Sequence, residues 1–148
     1  MTKRIVIMTN NFVIFKEVPL MKQKTRRPTD AELTILQVLW DRGPSTVRDV
    51  YKILNAGKDV GYTTVLKLMQ IMTDKGLVER DETCRPQLYR PCIQRAQTER
   101  QLIKDLADRA FGGSAKRLVM QALEAKRASP SELAQIEKLL NKLERGEK

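Results

Sequence analysis

Histidine is absent from the 148 residues, which removes both the commonest general base and the commonest metal ligand. Cysteine is nearly absent. Cys84 and Cys92 are too few for a disulfide scaffold and form no C-x-x-C pair, so reduced thiols in the cytoplasm are expected. No run of about 18 apolar residues exists to span a membrane. Lys3 and Arg4 ahead of Ile5–Met8 imitate a signal peptide, but Thr9-Asn10-Asn11 breaks the run and no small-residue cleavage site follows, so export is not expected. There is also no glycine-rich phosphate loop, nucleophile elbow or cluster of metal ligands. These absences argue against an enzyme and call for no cofactor.

What the chain does have is positive charge, +10 in all, and 41% hydrophobic residues, enough for a real core. A polyanionic partner is implied, nucleic acid being the commonest. The charge is unevenly spread. Residues 1–28 carry +6, residues 29–92 carry nine cations and nine anions, and residues 93–148 carry +4. Any DNA-reading surface in the middle segment must therefore be a sorted face rather than bulk charge.

Residues 1–27 read as a flexible basic arm. Within it, Ile5–Met8 and Phe12–Phe15 can form a weak hairpin, or residues 1–20 are an over-extended start ahead of Met21. Lys22, Lys24, Arg26 and Arg27 suit either phosphate contact or a solubilising tail. Residues 28–92 read as three helices followed by one hairpin. Thr29-x-x-Glu32 is a capping box, followed by Leu33, Leu36, Val38, Leu39 and Trp40 at near-helical spacing until Gly43-Pro44. Ser45 or Thr46 caps a second helix with Val47, Val50, Tyr51 and Leu54 on its apolar stripe. A third opens at Gly61 or Tyr62, places Val65, Leu68, Met69 and Met72 on one side, and ends at Lys75-Gly76. Residues 77–81 and 87–90 alternate at period two around a turn. That order is a winged helix-turn-helix.

Residues 93–148 read as three helices, the first ended by Gly112-Gly113-Ser114, making the fold class mainly α. Leu102, Ile103, Leu106 and Phe111 form one stripe, and Leu118, Val119, Ala122 and Leu123 a second. Ser129-Pro130 opens a third, with Leu133, Ile136, Leu139, Leu140 and Leu143. Three such helices lack the aromatic bulk to close a core alone, so a homodimer through these residues is expected.

Function should reside in the third helix. With positions 65, 68, 69 and 72 inward, Tyr62, Thr63, Thr64, Lys67 and Gln70 turn outward, and a major groove admits one helix led by its amino end. Thr reads a thymine methyl or a base edge, Lys a guanine or phosphate, and Gln an adenine. A merely solvated polar face looks similar, but Gly61-Tyr62-Thr63-Thr64 is an indifferent opening for a helix with no other task. Arg85 at the wing tip and Arg80 and Arg90 on its strands could clamp the backbone, or Arg80 could pair with Asp81 or Glu82 within the hairpin. A winged helix serving protein–protein contact or RNA remains the alternative, since fold does not fix function.

Several of these runs resemble the BlaI/MecI family of penicillinase repressors. They are Pro28–Leu33 with Leu36 and Leu39-Trp40, Gly61–Val65 running to Lys75-Gly76-Leu77-Val78, Tyr89 with Pro91, and Phe111–Ser114 with Leu118-Val119. The resemblance covers about residues 28–143. It implies a dimer with interlocked C-terminal helices and two winged heads on a palindromic double-stranded operator, repressing by occupying promoter DNA. Two-fold symmetry would set the recognition helices about 34 Å apart, or a multiple of it. It also implies a membrane-anchored sensor peptidase as partner and cleavage at an Asn-Phe bond. The matching position here is Ala110-Phe111, so the Asn is missing. A copper-responsive branch carries Cys-x-Cys near its C terminus, and residues 93–148 contain no Cys.

Overall fold

The computed structural model describes residues 2–9, 12–19 and 27–146. The basic stretch 21–26 of the expected arm lies outside them. Strands β1 (Thr2–Thr9) and β2 (Phe12–Pro19) pair antiparallel, Thr9 opposite Phe12. Then follow α1 (Asp30–Arg42), α2 (Val47–Gly57), α3 (Tyr62–Asp74), β3 (Val78–Asp81), β4 (Leu88–Pro91), α4 (Arg95–Ala110), α5 (Ala115–Ala125) and α6 (Pro130–Glu144). The chain divides into two compact units, Met1–Thr98 and Glu99–Lys148.

Local chemistry sets the helix starts. Thr29 Oγ1 accepts from the Glu32 amide at 3.2 Å while Glu32 accepts from the Thr29 amide at 2.9 Å. Thr46 and Asp49 repeat the box at α2, and Ser129 and Glu132 at α6, with Pro130 at the first helical position. Ser114 caps α5. Gly43 and Gly76, at φ 88° and 79°, turn the chain out of α1 and α3 in a conformation that L side chains resist.

The head closes over Ile35, Leu36 and Leu39 of α1, Val47 and Val50 of α2, Val65, Met69 and Met72 of α3, and Leu77, Val78 and Tyr89 from the hairpin. Ile35 is a core residue that the apolar spacing of α1 did not single out, whereas Leu33, Val38 and Trp40 are only half-buried. The reason is geometric: α1 meets α2, α3 and β4, so its buried arc is wider than one stripe.

The wing pairs Glu79 with Arg90 and Arg80 with Tyr89 across its two strands. Fully buried Ser45 bridges to the other edge of β4, exchanging backbone bonds of 3.0 and 2.8 Å with Tyr89. Thr46, not Ser45, is therefore the cap of α2. The exit from the wing is tethered to α1, because the Trp40 indole donates to the Ile93 carbonyl at 3.0 Å. Arg95 lies 5.8 Å from the Trp40 ring centre and pairs with Asp41 at 2.7 Å. The first turn of α4 is thus held within the head.

The second unit has little interior. Leu118 and Ala107 are buried. Leu106, Val119, Leu123, Leu133, Leu139, Leu140 and Leu143 are exposed, while Leu102, Phe111 and Ile136 are half-buried.

Candidate nucleic-acid interface

Helix α3 buries Val65, Met69 and Met72 completely. At 3.6 residues per turn, that burial forces Thr63, Lys67 and Gln70 onto the opposite face. Tyr62, Thr63, Thr64, Lys67 and Gln70 are all exposed, so the structure presents the five along the first two and a half turns. Tyr62 is held in place by Tyr51 of α2, edge to face with ring centres 5.6 Å apart.

The amino end of α3 differs from those of α1, α2, α5 and α6. Each of those is capped by a hydroxyl side chain, but Gly61 offers none. The first amides of α3 keep their donors for an outside acceptor, and the helix dipole adds to the attraction for phosphate.

The carboxyl end of α3 is locked down. Lys75 Nζ donates to both oxygens of Glu32, at 2.9 and 3.0 Å, and Glu32 is 1% exposed. Burial pushes the Glu32 carboxyl up, but the Thr29 amide, Lys75 and the Thr29 hydroxyl together outweigh it and hold the group below its ordinary value. Sequence reading found Glu32 as a cap and Lys75 as a helix exit. No local pattern signals that the two meet across 43 positions.

The wing is less basic than its sequence suggests. Arg80 pairs with Glu82 at 2.8 Å, the neighbour pairing the sequence left open, and Arg90 pairs with Glu79 at 2.9 Å. Arg85 is exposed at the tip. A further residue was missed. Asp81, 4% exposed, accepts from the Thr83 amide and hydroxyl at 2.9 and 2.6 Å and from the Cys84 thiol at 3.4 Å. The Thr83 bonds hold the Asp81 carboxyl below its usual range, and the bond to Asp81 pushes the Cys84 thiol up. Asp81 thus pins the wing turn, and Cys84 stays a thiol.

In the second unit, Ala110 ends α4 exposed, and Phe111 is half-buried beside Gly112 and Gly113, both at positive φ. Phe111 lines an open cavity of about 360 Å³ with Lys116, Arg117 and Met120. Among the described residues no cluster of His, Cys, Asp and Glu could hold a metal, and no helix is long and apolar enough to cross a membrane.

A head of three helices and a two-strand wing, followed by helices with apolar stripes, defines a winged helix-turn-helix regulator. The family model described as penicillinase repressor matches residues 28–142. The chain belongs to the penicillinase repressor family, whose members are transcriptional repressors and not enzymes. It is 32% identical over 125 residues to the transcriptional regulator BlaI of Mycobacterium tuberculosis strain CDC 1551 / Oshkosh, covering 83% of this chain and 89% of that protein. It is 20% identical over 122 residues to the methicillin resistance regulatory protein MecI of Staphylococcus aureus strain N315, covering 82% and 99%. Identity to the MecI protein of Mammaliicoccus sciuri is 19% over the same length.

Proposed function

We propose that this repressor acts by binding a palindromic operator as a homodimer, with α3 of each subunit in successive major grooves. The observation that carries the reading is the exposed polar run Tyr62, Thr63, Thr64, Lys67 and Gln70 behind an amino end that lacks a side-chain cap. Thr63, Thr64, Lys67 and Gln70 read base edges, and the free amides and Arg85 hold phosphates. Arg80 contributes to this surface through the wing it shapes rather than as an unpaired cation.

Dimerisation is supported by the second unit, where nine of the thirteen apolar residues on the three stripes are exposed. Leaving so much apolar surface on helices with two buried residues is unfavourable, and a second copy with the same stripes covers it. Residues 28–92 serve as the reading head and residues 93–148 as the dimerisation region.

The test is competition between the promoter fragment upstream of the protein's own gene and mixed-sequence duplex. Specific binding at least about a thousandfold tighter is expected. Equal affinity for both would overturn sequence-specific repression. Binding that is flat with salt would favour a protein-binding module instead.

A further inference from the structure

The head between residues 29 and 92 has nine cations and nine anions, yet a duplex must meet a face of one sign. Ion pairing within the head does the sorting. Arg42 lies 3.9 Å from Asp49, Lys75 is bound by Glu32, Arg80 by Glu82 and Arg90 by Glu79. On the anionic side, Asp41 is also taken up by Arg95, and Asp81 is turned into the wing.

The cations left over are Arg48, Lys52, Lys58, Lys67 and Arg85, all exposed. The anions left over are Asp30, Asp59 and Asp74. Asp30 and Asp74 sit at the amino end of α1 and the carboxyl end of α3, and Asp59 directly follows Lys58 in the chain. The uncompensated charge is therefore on α2, on α3 and at the wing tip.

Arg48 and Lys52 are one turn apart on α2. Taking Tyr51 as reference, 100° per residue puts them about 60° and 100° around the helix, on the side away from buried Val50. Tyr51 itself touches Tyr62 at the start of α3. The ridge carrying Arg48 and Lys52 thus borders the amino end of the recognition helix. In a helix-turn-helix, the helix ahead of the reader crosses the DNA backbone.

We propose that Arg48 and Lys52 form a phosphate clamp on α2, each neutralising one phosphate beside the groove that receives α3. The proposal rests on the DNA-binding reading above. It makes α2, rather than the wing strands, the main source of sequence-independent affinity in the head. Asp49 lies between the two in sequence, and its carboxylate is held first by Thr46 and then by Arg42, with a weaker pull from Lys52, so it offsets the pair only in part.

The experiment follows binding of a mixed-sequence duplex by fluorescence anisotropy across a salt series, for wild type and for R48Q/K52Q. Losing two contacts should lower the slope of log affinity on log salt by about 1.8, so that a fourfold rise in salt weakens the variant about twelvefold less than wild type. Preference for the promoter fragment over mixed sequence should be unchanged, since phosphate contacts carry no sequence information. R48K/K52R keeps both charges and should restore the slope. A variant slope equal to that of wild type overturns the clamp while leaving the DNA reading intact. Wild type that binds neither duplex overturns the DNA reading itself.

Discussion

Glu32 illustrates how much one side chain can settle. It ends the donor deficit at the start of α1 and anchors the end of α3 through Lys75. Glu32→Gln keeps an acceptor for the cap but loses the charge, leaving Lys75 without its partner. A loss of about 2 kcal/mol at neutral pH is expected, below the usual range for breaking a buried pair because Lys75 is partly solvated. The pH dependence has a definite sign. The folded carboxyl titrates below its ordinary value of 4.5, so its stabilisation is complete above that value and fades as pH falls through the lower, folded one. Urea melts of wild type and variant should therefore differ near neutrality and converge in acid. A gap that persisted in acid would mean the charge is not the source. On the reading face, Thr64→Ala and Lys67→Ala should each reduce discrimination between promoter and mixed DNA by about 1–3 kcal/mol. Unchanged affinities for both duplexes in Lys67→Ala would place the reading face elsewhere.

The elements that sequence reading recovered are those specified within a few residues. Capping boxes at Thr29 and Ser129 and the helix exit at Gly76 depend on neighbours along the chain and are found where expected, as are three of the four members of the 65-68-69-72 stripe, Leu68 being only half-buried. What escaped depends on long-range closure. Ser45 bridging Tyr89, Trp40 holding Ile93 and Glu32 meeting Lys75 join positions 44, 53 and 43 residues apart. The wing shows both cases. Its strands are legible from alternation, but the neutralising pairs of Arg80 and Arg90 depend on register and side-chain reach. Asp81 is the wing's organiser, and its removal is measurable. Asp81→Asn takes away the main influence raising the Cys84 pKa, so alkylation of Cys84 near neutral pH should speed up while Cys92 serves as an internal reference. An unchanged Cys84 rate would show that burial alone protects the thiol. Arg85→Ala, at the tip of the same element, should weaken promoter and mixed DNA by the same factor, because a phosphate contact positions without specifying.

At the scale of the molecule, the two units divide the physical problem. The head has a closed core and presents a polar face, whereas the second unit buries Leu118 and Ala107 and leaves most of its leucines in water. Leu139 and Leu140, 55% and 53% exposed on α6, contribute little to the interior of their own unit. Replacing both with Asp should therefore leave the head's melting transition in place while placing two charges per subunit in an apolar seam, which is costly without partners. Light scattering should report a monomer. Because two heads on one operator gain from effective concentration, promoter affinity should fall by about a hundredfold or more, while each head keeps its weak affinity for a half-site. A variant that remained dimeric would move the seam off α6. A monomer that bound the promoter as tightly as wild type would show that a single head accounts for the affinity, and the two-fold arrangement on DNA would have to be given up.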